Sequence, residues 1–239
     1  MVHYVDLHSH FLPGLDDGAD SLATCLSMVR ALVEIGFSDL CATPHQFAGS
    51  FEPPLDQVRL TFDQVSREIA TELPEVRLLL GAENYWDDVF ASRLRQGEPP
   101  CYDGGKAFLF EISPVVMPPR LEATLFDIRV SGRLPVLAHP ERYPAVQRDP
   151  AVAESLGRQA ALLVDLAALA GTGDRAEVKT ARRLVEEGMA HAAASDMHDP
   201  EDGPAIASGL GWIRKRLGED AVKQLLSENP RRILVGQLP

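Results

Sequence analysis

Short apolar runs and longer amphipathic runs alternate seven times along this chain. Tyr4 to His8, Asp39 to Thr43, Val76 to Leu80, Ala107 to Phe110, Leu134 to Ala138, Leu162 to Leu166 and Ala190 to Ala194 read as short strands, the first with apolar residues in alternation. Between them apolar positions recur at helical spacing. The first set is Leu22, Leu26, Val29, Leu32 and Val33, with Asp20 and Ser21 as N-cap candidates and Gly36 as terminator. The second, Leu55, Val58, Phe62, Val65 and Ile69, predicts a long helix reaching about Leu73. Further helices are predicted at Asp87 to Arg95, from Pro118-Pro119 to Val130, and at Ala151 to Gln159 and Arg175 to Glu187. Three more close the chain at Pro204 to Leu217, Asp220 to Ser227 and Pro230 to Val235. Strand, loop and helix in steady succession predict an α/β fold with a parallel sheet or barrel. There is no internal repeat, low-complexity segment or linker, so one domain over residues 1–239 is expected.

The strand ends turn this scaffold into a site. His8 and His10 follow strand one, His45 strand two, Glu83 and Glu111 end strands three and four, His139 ends five, and Asp196 and His198 end seven. His8 and His10, one residue apart, project to the same side. In a parallel barrel all these ends meet at one mouth, where such folds place their active sites. Asp17, in the Asp16-Asp17-Gly18 turn leaving strand one, can reach the same mouth. The remaining histidines serve as a control. His3 precedes His8 by about 16 Å of extended chain and belongs at the opposite rim, and His191 begins strand seven instead of ending it.

So many ligands need several ions, with a carboxylate such as Glu83 able to bridge two of them. Imidazoles and carboxylates without thiolate suit manganese, iron or zinc. Three divalent ions would bring about +6 against about −4 from Asp17, Glu83, Glu111 and Asp196, which leaves a site for an anion. Arg142, three residues beyond His139, adds a guanidinium able to grip phosphate oxygens in a two-pronged contact. Bound ions of this kind supply hydroxide near neutral pH and polarise the oxygens under attack, so in-line hydrolysis of a phosphate monoester is the expected reaction. Phe11, Phe47 and Tyr143 could flank an aromatic leaving group, although core or loop packing is the commoner role of each.

Composition narrows the partners. A net charge of −12 argues against a nucleic-acid backbone or an anionic membrane as main partner. Three cysteines without metal-type spacing point to burial in a reducing compartment, and no secretory leader or apolar span of about 18 residues is present, so a cytoplasmic protein without membrane insertion is expected. Competing nucleophiles fail on inspection. The residues six beyond Cys25, Cys41 and Cys101 are Ala31, Phe47 and Ala107, where a thiol phosphatase needs arginine. No G-x-S-x-G turn or Walker-type loop occurs. Lys106 precedes strand four, whereas the bridging lysine of amidohydrolase barrels ends it.

The segments DLHSH, DDG, ATPH, GAE, FE, AHPERY and SDMH, in this order and running on to the closing ENPRRI, resemble the PHP superfamily (polymerase and histidinol phosphatase). Within it they look like the bacterial capsule-associated protein-tyrosine phosphatases. The resemblance implies a distorted TIM-like (β/α)7 barrel with three ions, most often manganese, hydrolysing phosphotyrosine in proteins such as a bacterial tyrosine kinase. Carried over by motif, His8, His10, Glu83 and Asp196 hold one ion, Glu83, Glu111 and His139 a second, and Asp17, His45 and His198 a third. Arg142 matches the family's phosphate-gripping arginine and joins Asp196 and His198 as the catalytic set. Two departures stand at the rim. Gln46 replaces the usual histidine or arginine after His45, and Asp199, Glu201 and Asp202 follow His198, with Arg214 the next arginine. The alternatives are a small-molecule phosphatase, such as one acting on histidinol phosphate, and a non-catalytic metal-binding module. The second would be expected to lack ligands.

Overall fold

The computed structural model describes residues 3–103 and 105–239. Its strands are β1 (Tyr4–Ser9), β2 (Phe37–Ala42), β3 (His45–Gln46), β4 (Arg77–Leu80), β5 (Glu83–Tyr85), β6 (Ala107–Glu111), β7 (Leu134–Ala138), β8 (Ala161–Asp165) and β9 (Ala192–Ala194). Two parallel ladders run in the orders β1-β2-β4 and β3-β5-β6-β7-β8-β9. The sequence predicts seven strand positions, and the nine strands among the described residues occupy seven, because the second and third are each broken in two. Pro44, which has no N–H to give a ladder, separates β2 from β3. Gly81 and Ala82 separate β4 from β5, where a side chain on Gly81 would lie 2.9 Å from the Tyr102 ring. The ladder survives both breaks, since Gly81 N–H donates to Ala42 O at 2.8 Å and Glu83 N–H to Pro44 O at 3.1 Å.

The ring closes between β9 and β1. His10 N–H donates to Met197 O and Asp196 N–H to His8 O, each at 2.9 Å. The buried Asp6 carboxylate staples the same seam, accepting from Ser195 N–H at 2.9 Å and Ser195 Oγ–H at 2.5 Å. The result is the distorted seven-stranded barrel. One apolar cluster fills its interior (Val5, Leu7, Leu109, Val136, Leu163, Ala194), with the Tyr102 hydroxyl donating to Leu7 O across it at 2.9 Å. A larger cluster joins the outward strand residues, such as Phe108, Phe110 and Val164, to the surrounding helices.

Those helices are α1 (Leu22–Ile35), α2 (Leu55–Glu72), α3 (Asp88–Gln96), α4 (Leu121–Val130), α5 (Pro144–Arg148), α6 (Pro150–Gly157), α7 (Leu166–Ala170), α8 (Arg175–Glu186), α9 (Gly203–Leu217), α10 (Glu219–Lys223) and α11 (Asn229–Leu234). Ser21 caps α1 through Thr24 N–H and Gly36 ends it at φ 115°, as its sequence predicts. The single-turn helices α5 and α7 are additions to the expected set. No helix among the described residues is long and apolar enough to cross a membrane.

The C-terminal segments lie at the other end of the barrel from the strand ends. Ser227 Oγ donates to His3 O at 3.1 Å, and Asn229 Nδ2 donates to His191 O at 2.8 Å. Both control histidines therefore sit where expected. His191 Nδ1 accepts from Leu162 N–H at 3.0 Å, and burial, aided by the charge of Arg129, lowers its pKa to about 4. The folded protein thus holds His191 neutral, while the unfolded chain protonates it near its ordinary value. Its contribution to stability is complete above about pH 6.5 and is lost as pH falls toward 4, on the order of 3 kcal/mol in all. His191→Asn, whose Oδ1 can stand in for Nδ1, is expected to flatten the fall in Tm between pH 6.5 and 4. Parallel Tm–pH curves for the two proteins would rule the effect out.

Candidate metal centre

Glu83 sits at the centre of the mouth. Its Oε2 lies 3.2 Å from His8 Nε2, 3.5 Å from His10 Nε2 and 2.9 Å from His45 Nδ1, and its Oε1 lies 2.8 Å from His139 Nε2. Asp196 Oδ1 faces the same two nitrogens of His8 and His10, at 3.2 and 3.5 Å. Asp17 Oδ1 is 3.3 Å from His45 Nε2 and 3.5 Å from His198 Nε2, and Glu111 Oε1 is 3.6 Å from His45 Nδ1. All nine sequence-predicted residues therefore converge. They fall into four overlapping groups with ligand atoms within 4.8 Å of one another: His10-Asp17-His45-His198, His8-Glu83-His139, His8-His10-Asp196 and His45-Glu83-Glu111. These groups share their members more widely than the three sets carried over by motif, because His8, His10 and His45 each stand between two of them.

Local backbone explains how the side chains arrive. His139 and Asp196 adopt left-handed conformations, with φ 35° and 47°. Each turns the chain sharply at a strand end, a strain of order 1–3 kcal/mol that concentrates at functional sites. Gly18 allows the loop after β1 to fold back on the strand, since a Cβ there would lie 2.0 Å from His10 O. Ala19 N–H then reaches that carbonyl at 3.0 Å, and Asp16 and Asp17 are brought to the mouth.

Their roles divide. The Asp16 carboxylate accepts from His10 Nδ1–H at 2.8 Å and from His45 N–H at 3.0 Å, which leaves His10 Nε2 free to face the centre. His198 is oriented likewise, its Nδ1–H donating to Asp196 O at 2.9 Å. Nothing in the sequence marks Asp16 as an orienting group, for two adjacent aspartates in a turn look alike until the fold separates them.

Protein groups alone leave this cluster in electrostatic conflict. Burial would push the Glu83 carboxyl up, but the charges and hydrogen bonds of His8, His10, His139 and His45 hold it well below the usual range. Burial and the nearby Glu83 charge raise Glu111 to about 8. His8 Nε2 and His10 Nε2 lie 3.1 Å apart while both face the same carboxylates, and the buried His45 Nδ1 has no well-formed hydrogen bond. One ring nitrogen carries a single proton or a single lone pair, so it cannot satisfy several such neighbours. Cations held by these rings and carboxylates would resolve the conflict. The donor set fits metal ions, and its imidazole–carboxylate chemistry fits borderline-to-hard divalent ions.

Arg142 stands at the rim, its Nη2 donating to Asp196 Oδ2 at 2.5 Å and to Asp165 Oδ2 at 3.0 Å. The departures noted at the rim prove to be structural. Gln46 is buried and turned away from the mouth, bonded to Pro53 O at 3.0 Å and to Arg93 Nη1 at 2.9 Å. Asp199 and Asp202 cap a short 3-10 turn, and Asp202 Oδ2 accepts from His198 N–H at 2.9 Å. Arg214 belongs elsewhere, bonded to the Tyr4 hydroxyl at the start of β1. Of the three aromatic residues, Phe11 and Tyr143 are buried in the helix-facing core, with the Tyr143 hydroxyl 3.4 Å from His139 Nδ1. Only Phe47 remains partly exposed, stacked on Tyr85 with ring centroids 3.8 Å apart.

A parallel barrel with carboxylates and imidazoles gathered at its C-terminal mouth defines the class of metal-centred α/β-barrel hydrolases. A lactonase from Listeria monocytogenes, 13% identical, superimposes with a TM-score of 0.62 over 99% of this chain and 95% of that one, a likeness of fold. The chain belongs to the capsular polysaccharide synthesis CpsB/CapC family, whose model matches residues 4–235. It is 28% identical to the tyrosine-protein phosphatase CpsB of Streptococcus pneumoniae, over 98% of this chain and 99% of that one. It is also 28% identical to the tyrosine-protein phosphatase YwqE of Bacillus subtilis, over 98% of this chain and 92% of that one. A crystal structure from work on YwqE and CpsB, described as metal-dependent tyrosine phosphatases, superimposes with a TM-score of 0.87 at 28% identity, over 98% of this chain and 95% of that one.

Proposed function

We propose that this protein is a metal-dependent phosphomonoester hydrolase that removes phosphate from tyrosine in proteins governing capsular or exopolysaccharide production. The observation that carries this reading is the convergence of all nine imidazole and carboxylate side chains on one mouth, with Arg142 beside them. Family membership and the relatives' activities support it. Three ions, manganese first and iron or zinc as alternatives, would be held by His8, His10, Glu83 and Asp196, by Glu83, Glu111 and His139, and by Asp17, His45 and His198. When bound, such ions lower the pKa of water and polarise phosphate oxygens. Arg142 binds the phosphate. Asp196 ties the Arg142 guanidinium to the centre, and its carbonyl fixes His198 with Nε2 turned inward.

The mouth is open, with the side chains of Asp17, Arg142 and His198 partly exposed around it, which suits a phosphotyrosine carried on a protein surface. A tyrosine kinase of the same system is the partner we favour. All three cysteines are free, consistent with the cytoplasm as its place.

The test is direct. Manganese-loaded protein should release phosphate from p-nitrophenyl phosphate and from phosphotyrosyl peptides, with higher kcat/KM on the peptides than on histidinol phosphate or other small phosphomonoesters. A preference for small esters would shift the reading to a small-molecule phosphatase. No turnover with manganese, iron or zinc would end the enzyme reading altogether.

A further inference from the structure

We infer that Asp165, the last residue of β8, is a positioning residue for the substrate phosphate, acting through Arg142. This rests on the phosphatase reading and extends it to the one strand end that carries no candidate ligand.

The geometry divides the Asp165 carboxylate between two jobs. Oδ1 accepts from Ala167 N–H at 2.8 Å and caps α7, whereas Oδ2 accepts from Arg142 Nη2 at 3.0 Å. The same Nη2 donates to Asp196 Oδ2 at 2.5 Å. Both hydrogens of Nη2 are thus committed, one to each of two neighbouring strand ends. The three remaining guanidinium hydrogens, on Nη1 and Nε, meet no protein acceptor among the described residues. With a side chain 39% exposed, Arg142 is a cation fixed along one edge and open along the other. Fixing a long, rotamer-rich side chain before the anion arrives removes an ordering penalty from binding.

Asp196 alone would be a poor anchor, because its Oδ1 lies 3.2 Å from His8 Nε2 and belongs to the candidate centre. Asp165 is the anchor not shared with that centre. The backbone reinforces it. The buried Glu141, next to Arg142 in the same 3-10 turn, accepts from Asp165 N–H at 2.8 Å through Oε1. The turn bearing the guanidinium and the strand end bearing its anchor are therefore tied together twice, once through the Glu141 carboxylate on the Asp165 N–H and once through Arg142 on the Asp165 carboxylate.

Asp165→Asn separates the two jobs. Its side-chain oxygen can keep the α7 cap, while its amide presents donors to Arg142 and loses the ion pair. For the manganese-loaded variant, KM for p-nitrophenyl phosphate and the Kd of inorganic phosphate by calorimetry should each rise about tenfold, with kcat within about threefold of wild type. Asp165→Glu should recover part of the phosphate affinity. In an Arg142→Ala background, Asp165→Asn should change neither KM nor phosphate Kd further. An unchanged phosphate Kd, or an equal effect in the Arg142→Ala background, would overturn the inference and leave Asp165 as a helix cap. Should Asp165→Asn fail to fold, a phosphate Kd for Asp165→Glu tighter than or equal to wild type would overturn it as well. An active wild type with such results leaves the phosphatase reading intact, whereas an inactive wild type removes both.

Discussion

Replacing Glu83 with glutamine is expected to strip the centre of metal and to lower phosphatase turnover at least a thousandfold. Loss of an outer partner of a metal ligand typically reduces metal affinity or activity by about 10–100-fold. Glu83 stands further in than any such partner, for its two oxygens face His8, His10, His45 and His139 at 2.8 to 3.5 Å. The amide keeps the shape but removes a full negative charge from between four imidazoles. Elemental analysis after gel filtration, beside initial rates on p-nitrophenyl phosphate, checks both halves of the expectation. A variant that keeps wild-type metal content and rate would show that Glu83 bridges nothing. A circular dichroism spectrum matching wild type separates loss of the site from loss of the fold.

Asp6→Ala should have the largest effect on stability, about 3 kcal/mol, or a fall in Tm of roughly 10 °C for a chain of this size. Asp6 is fully buried, and its removal leaves Ser195 N–H without an acceptor and Ser195 Oγ–H with only its longer bond to His8 O at 3.1 Å. Each buried polar group left unpaired costs about 1–3 kcal/mol. The seam they hold joins β1 to β9, the elements that end in His8 and His10 on one side and Asp196 and His198 on the other. Activity should therefore fall before the protein melts, as the two halves of the ligand set drift apart. Thermal unfolding by calorimetry, with kcat followed over the same temperature range, reads both effects. A Tm within about 2 °C of wild type would show that backbone pairing alone closes the barrel.

Much of this was legible in the chain, and the reason is periodicity. Buried parallel strands appear as short apolar runs whatever they pack against, and a ligand directly after such a run is placed by the run itself. His45, Glu83, Glu111, His139 and Asp196 could be brought to one mouth on that ground alone. What escaped depends on partners distant in sequence. Asp165 reads as part of an apolar strand, and its importance comes from Arg142, 23 positions earlier. Asp6 looks like an ordinary residue of an alternating strand until Ser195, 189 positions away, is placed beside it. Gln46 departs from the usual basic residue after His45, but strand alternation turns it outward from its neighbour His45 and into contact with Arg93. Phe11 and Tyr143 lie beside His10 and Arg142 in the chain, yet both rings are buried in the core, and Tyr143 meets the mouth only through its hydroxyl, 3.4 Å from His139 Nδ1.

The left-handed turns at His139 and Asp196 set backbone fit against ligand chemistry. Glycine adopts that backbone shape without strain, so at these two positions selection for stability and selection for chemistry favour different residues. The residue that would best suit each turn is therefore one that cannot hold a metal ion, and the barrel accepts the poorer backbone fit at the two places where a ligating side chain is needed at the mouth.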